Sequence, residues 1–180
     1  MPYDELNTLK QYFTALNQEG GSVSPGDAED EILDILILAY TMGFQSASDA
    51  LGLDLTADPD KMRESVYKKV ADKDFAERAR EAAERGDLSD LALIAETDAH
   101  RVYSEAVIEA GRASGRSVRK KWQTMEDDRV RDTHVYLQGE TVDLDDEFYT
   151  YDGDHAQGPG GFESASNNCN CRCWLDLIPA

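Results

Sequence analysis

Residues 117–134, Ser117-Val118-Arg119-Lys120-Lys121-Trp122-Gln123-Thr124-Met125-Glu126-Asp127-Asp128-Arg129-Val130-Arg131-Asp132-Thr133-His134, decide how this chain is read. Before them, up to about Gly115, apolar residues recur at helical spacing. Here that pattern stops. Residues 117–124 read as a strand with a basic face, 126–129 as a polar turn, and 133–138 as one helical turn ended by Gly139. Downstream, 141–144 is a short strand and 173–178 a final one. Between them, 145–162 reads as a long irregular loop, because Gly158-Pro159-Gly160-Gly161 does not sustain regular backbone. The fold class that follows is α+β: a helical N-terminal domain over residues 1–115 and a small mixed α/β C-terminal domain over 116–180.

The upstream half supplies the helices. Leu6, Leu9, Phe13 and Leu16 share a face over residues 4–18, and Gly20-Gly21 ends that helix. Ser24-Pro25-Gly26-Asp27 is a start signal: Ser24 caps, Pro25 suits the first turn, and Asp27 favours the positive helix end. The following helix is apolar around nearly its whole circumference, with Asp34 the exception, which predicts the central buried helix of the fold. Gly52 stops it and 54–58 is a linker. Pro59 opens a mostly exposed helix or helix pair to about Arg85, broken near Asp72-Lys73-Asp74 and anchored by Met62, Val66, Val70 and Phe75. After Gly86, Asp87 or Ser89 caps a last long helix to about Gly111. On it, Asp98 interrupts an apolar stripe of Ile94, Val102 and Ala106.

Composition narrows the function classes. The 180 residues suffice for one domain or two small ones. With a net charge of -19, the chain is not drawn to nucleic acid or anionic membrane by bulk attraction and favours basic partners. One segment runs against this balance: Arg112, Arg116, Arg119, Lys120 and Lys121 form a basic stretch, either a solvated face or a docking surface for an acidic partner. The start, Met1-Pro2-Tyr3-Asp4-Glu5, is acidic and lacks the apolar segment of a secretory signal. The longest apolar run, 35–40, is too short to span a bilayer. The three cysteines lie within five residues at the far end and do not make a disulfide framework, which predicts synthesis in a reducing compartment.

The order Lys121-Trp122, Asp128-Arg129-Val130-Arg131, His134, Leu137, Gly139, Phe148, Gly158-Pro159, Asn170-Cys171-Arg172-Cys173 resembles the C-terminal domain of the phage Mu F-like family, also called SPP1 gp7-type minor head or head morphogenesis proteins. The resemblance covers about residues 90–178. The helix segment Ile94-Ala95-Glu96-Thr97-Asp98 is similar to a family helix with an Arg-Thr-Glu signature, but Glu96 stands in place of the Arg and Asp98 in place of the Glu. The resemblance implies a minor capsid or head morphogenesis protein of a tailed bacteriophage. Such a protein acts in head assembly by binding the portal protein, the major capsid protein or the inner shell, in few copies or as a ring, with contact to packaged DNA among some members. It implies a place in the virion, at the capsid interior or portal vertex, after assembly in the host cytoplasm. Longer members carry appended toxin or enzyme domains, for which 180 residues leave no room.

Cys169, Cys171 and Cys173 alternate with other residues, so an extended segment would point all three the same way. Together with His134 or His155 they suit a tetrahedral zinc site of the Cys/His type, although paired Cys-x-x-Cys knuckles are missing. The alternative is a packed cysteine pair beside a structural histidine. The ligands, if metal is held, are His134, Cys171 and Cys173, with Cys169 as fourth candidate. Two catalytic readings stand beside this one: Cys and His as nucleophile and base oriented by Asn167 or Asn168, or a metal-dependent nuclease or hydrolase using His134 with Asp127 or Asp128. Neither has a supporting signature, and the acidic run Asp143, Asp145, Asp146, Glu147 lacks the glycine turn of a calcium loop. Trp122 and Trp174 are expected on neighbouring strands, filling the core of the small domain. Arg129 and Arg131 can face the same way and clamp Asp98 or the acidic loop. Asp128 and Arg172 join them as structural or interaction residues.

Overall fold

A computed structural model describes residues 6–180, and among these described residues five long helical elements carry the N-terminal two thirds. They are α1 (Thr8–Gln18), α2 (Pro25–Ala50), α3 (Pro59–Val66), α4 (Phe75–Glu84) and α5 (Leu88–Ala113). Positions 4 and 5 of the expected first helix lie outside the described residues. The starts of α2 to α5 are written in the sequence, whereas Asn7 ahead of α1 makes no side-chain capping bond. Ser24 accepts from the Asp27 N–H with Pro25 in the first turn. Asp58 caps α3 ahead of Pro59. Asp74 and Glu77 form a reciprocal capping box on α4. Asp87, not Ser89, caps α5. The break between α3 and α4 is a tight turn with Ala71 and Asp72 in the left-handed region.

The central buried helix is α5, not α2. Of its 26 residues, 18 are buried, and it packs against α1, α2, α3, α4 and the C-terminal sheet. α2 crosses it closely at Gly43, where a Cβ would collide with the Tyr103 carbonyl oxygen. Only one side of α2 is covered. Asp34, Ile37 and Leu38 face solvent, so the apolar circumference expected to be wrapped is half bare.

The C-terminal part holds a three-stranded antiparallel sheet in the order β2 (Thr141–Asp143), β1 (Val118–Gln123), β5 (Trp174–Pro179). Its inner face is set by alternation: Val118, Lys120 and Trp122 point in, while Arg119, Lys121 and Gln123 are only partly buried. Leu175 and Leu177 of β5 point in as well. Trp122 lies opposite Leu175 and is fully buried, whereas Trp174, one residue out of phase, is only partly buried and donates to Asp176 at 3.2 Å. The expectation that both tryptophans fill the core therefore fails for Trp174. Short helices α6 (Asp132–Val135) and α7 (Ala165–Asn168) flank the sheet. The expected loop of 145–162 contains a two-stranded hairpin, β3 (Phe148–Tyr149) with β4 (His155–Ala156), which Phe148 anchors against Trp122 at 5.1 Å between ring centres.

Buried apolar residues of both halves form one cluster. The glycines make the contact close. Gly111 faces Leu144 and Leu177, and Gly160, at φ +83, lies against the Arg101 backbone where a Cβ would be 2.8 Å from its nitrogen. Among the described residues no helix is long and apolar enough to cross a membrane.

Candidate metal centre

Four of the residues named from sequence converge. β1 delivers Trp122, α6 delivers His134, and the approach to β5 delivers Cys171 and Cys173, all buried. His134 Nδ1 is 3.6 Å from Cys171 Sγ and 3.6 Å from Cys173 Sγ. The three ligand atoms lie within 4.8 Å of one another. Zinc–nitrogen and zinc–sulfur bonds of about 2.05 and 2.3 Å at a tetrahedral angle place N and S about 3.6 Å apart. The two His134–cysteine distances thus match the separation of two ligands on one zinc ion, and the cluster could hold a metal. The His134 ring is set edge-on to Trp122 at 5.4 Å and stacked on Phe162 at 5.3 Å, so its orientation is fixed by packing. Its Nε2 is buried without a hydrogen-bond partner.

Cys169 does not join the group. It caps α7, and Asn170 at φ 56 takes the left-handed conformation, which breaks the extended run. Strand alternation therefore holds for Cys171 and Cys173 and is lost before them. His155 is on the exposed hairpin, paired with Glu147 Oε2 at 3.1 Å. A small cavity of about 10 Å³ beside the triad, bounded by Val130, Arg131 and Asn170 among others, has room for one solvent-sized atom.

The two thiols polarise each other. A hydrogen bond from Cys173, with burial opposing and His134 assisting, holds Cys171 well below the usual thiol range, while the same bond and burial push Cys173 up. Opposed shifts of this kind ease loss of one proton from the pair, and thiolate is the form that binds a soft cation.

A polar frame surrounds the centre. Arg172 donates to both Asp127 oxygens, one at 2.8 Å, and this guanidinium lowers the Asp127 carboxyl to about 2. Arg131 donates to the Ser166 and Cys169 carbonyls, tying α7 to the turn before α6. His100 of α5 donates to the Cys173 backbone, and burial pulls its pKa down. Lys10 of α1 bridges Glu96 and Asn170, both at 2.8 Å. Where the resembling helix has an arginine, this chain has Glu96, and the cation comes from another helix instead.

Asp98 is not clamped by Arg129 or Arg131. It accepts from Arg78 of α4 at 2.6 Å and from Arg101, one turn along its own helix, at 3.2 Å. Arg101 also donates to the Ser65 carbonyl at 2.8 Å and to Glu105 at 3.0 Å. Arg129 is exposed and rests 3.6 Å from Asp127, while Asp128 is exposed. Within the basic stretch, Arg112 and Arg116 remain exposed while also bonding to the rest of the chain, and only Lys120 is withdrawn from solvent. Arg112 pairs with Asp145, Arg116 donates to Leu51 O, and Arg119 donates to Thr141 O. Lys120 is fully buried over the Phe148 ring, and burial lowers it to about 8. Lys10, Arg78, Arg101 and His100 were not picked out from sequence. Only Arg101, at i+3 from Asp98, carried a readable signal.

Fold and centre together define a class: a helical scaffold closed by a small antiparallel sheet, with a His/Cys cluster at its seam. Residues 60–176 match the family described as Phage Mu protein F like protein, and the chain belongs to that family. It is 30% identical over 93 residues to minor head protein GP7 of Bacillus phage SPP1, covering 51% of this chain and 30% of that protein. It is 39% identical over 106 residues to NAD(+)–arginine ADP-ribosyltransferase EFV of Enterococcus faecalis, covering 56% of this chain and 22% of that protein. The chain thus spans under a third of the length of these curated relatives. No solved structure matches it. The Mu F-like reading drawn from the C-terminal residues holds.

Proposed function

We propose that this chain is a minor head component of a tailed bacteriophage that acts in head assembly by binding the portal protein or the inner capsid shell. The observation that carries the reading is the family match over residues 60–176, together with the GP7 likeness. Its working form is structural. The buried ions Asp98, Arg101 and Glu96 are paired within the fold, and the Cys/His centre is buried where it stabilises rather than meets a substrate. The segment shared with the Enterococcus transferase is 22% of that protein, and we take it as a common structural module, with no transferase chemistry assigned to it. Residues 116–180 form the unit that the Cys/His centre holds together, and zinc is the ion that suits its donors.

The test is quantitative mass spectrometry of purified particles. A fixed low copy number per portal supports the reading. Absence from particles, with the chain abundant in infected cells, rejects it. Incubation with plasmid DNA, with and without Mg2+ or chelator, is the companion assay. Metal-dependent cleavage would move the chain to the nuclease or hydrolase class.

A further inference from the structure

The exposed side of α2 carries more apolar surface than this chain covers. Ile37 and Leu38 are 40% and 43% exposed, Leu33 is half-buried one turn earlier, and Tyr12 of α1 is 47% exposed. Toward the start of α2 a cleft of about 430 Å³ is lined by Tyr12, Val23, Asp27, Asp30, Glu31 and Asp34. Asp30, Asp34 and Ile37 are spaced by four and three, so they share one helical face, and Leu38 follows Asp34 by four. Among the described residues no Lys or Arg forms an ion pair with Asp27, Asp30, Glu31 or Asp34. Of the other carboxylates, Glu29, on the same helix, meets Arg80 at 2.5 Å, and Asp145 meets Arg112 at 2.8 Å.

From this juxtaposition we infer that the outer face of α2 is a docking surface for a basic amphipathic helix of another protein. Its lysines or arginines would meet the acidic cleft, and its apolar ridge would cover Leu33, Ile37 and Leu38. Both halves of the argument are needed. Adjacent exposed apolar side chains favour a dry partner, and unpaired carboxylates crowded over two turns favour a cationic one. A helix laid in a groove presents both at i, i+3, i+4 and i+7. The same charges select against other occupants. Nucleic acid and anionic lipid are repelled. A second copy meeting face to face would set carboxylate against carboxylate. The chain's own basic stretch makes hydrogen bonds and ion pairs within the molecule, through Leu51 O, Thr141 O and Asp145, and its self-association through this face is one of the outcomes tested below. That the partner is a head protein rests on the function proposed above; the surface and its chemistry do not.

Two measurements on the full chain separate these levels. In the first, backbone amide NMR follows titration with a synthetic Leu/Lys amphipathic helix of about 18 residues, and with its Leu/Glu counterpart. Shifts confined to α2 and Tyr12 with the Lys peptide alone, weakened at least tenfold in Ile37→Ser/Leu38→Ser and with reduced salt dependence in Asp30→Asn/Asp34→Asn, support the surface. Equal response to the Glu peptide, shifts centred elsewhere, or concentration-dependent self-association through this face without peptide overturns it. In the second, phage carrying Ile37→Ser/Leu38→Ser are compared with parental phage. Parental particles without the chain reject the head-protein reading alone. Parental particles containing it, with an unchanged copy number in the variant, reject the docking surface. A copy number reduced several-fold, with an unchanged melting temperature of the purified variant, supports it.

Discussion

Asp98→Ala should cost about 3 kcal/mol, and the argument lies in what Asp98 leaves behind. Its carboxylate is almost fully buried and accepts from Arg78 at 2.6 Å and Arg101 at 3.2 Å. The Arg101 side chain is 5% exposed, so it cannot turn to water when its partner is removed. It keeps the Ser65 carbonyl and Glu105, which offset part of its charge. Arg78 is 21% exposed and can hydrate. Removing one member of a buried ion pair costs about 3–5 kcal/mol, and the remaining contacts put this case at the lower end. For a chain of this size, about 3 kcal/mol lowers the melting temperature by roughly 6–12 °C. Arg129→Ala is the control: that side chain is 73% exposed and should behave as an ordinary surface change. The assay is thermal unfolding by circular dichroism, with a double-mutant cycle pairing Asp98→Ala first with Arg101→Ala and then with Arg129→Ala. Coupling to Arg101 and none to Arg129 is the expected outcome. An Asp98→Ala shift no larger than that of Arg129→Ala, or coupling to Arg129, would refute the reasoning.

Three further outcomes follow from the same geometry. Purified chain should carry one zinc, released to a chromophoric chelator as pH falls because protons compete for the thiolates; Cys173→Ser should abolish binding, Cys169→Ser should leave it intact, and equal loss in both would sink the assigned ligand set. Lys120 is held at about 8 in the fold against an ordinary 10.5. Between those values the unfolded chain binds more protons, so the penalty is fully present below about 8 and is relieved as pH rises toward 10.5. Lys120→Met should be at least as stable as the parent at neutral pH, with the gap closing above pH 10; a constant gap in paired denaturant titrations would contradict this. Trp122→Ala should cost about 3–5 kcal/mol or prevent folding, and Trp174→Ala much less, as read by urea unfolding; similar losses would mean the strand phase is misassigned.

Much of the fold was legible because helix starts are local. Ser24-Pro25, Asp58-Pro59, Asp74 with Glu77, and Asp87 each announce themselves within four residues. Burial was less legible. The periodicity of α2 is apolar on nearly every side, which reads as a wrapped helix, yet a sequence does not say how many neighbours will come to cover it. α5 looked merely amphipathic, but its small residues Ala95, Ala99, Ala106, Ala110 and Gly111 admit close approach from several directions, and that made it central. At the centre, the His134, Cys171 and Cys173 grouping was readable from residue type. The exclusion of Cys169 was not, because it turns on the single left-handed residue Asn170. The Asp98 partner was missed in favour of a distant pair of arginines, although Arg101 stood at the nearest helical spacing. Lys10 and His100 reach the centre only through tertiary packing, and nothing local marks them.

α5 has a mechanical consequence. Its 26 residues make a rod of about 39 Å. Along it are seated four helices and the terminal strand β5, with Gly43 and Gly160 locking neighbours at contact distance on either side. The helix runs unbroken along that length. The sheet and the helices are therefore seated on one continuous element. A ruler of this kind fixes the separation between whatever grips its two ends.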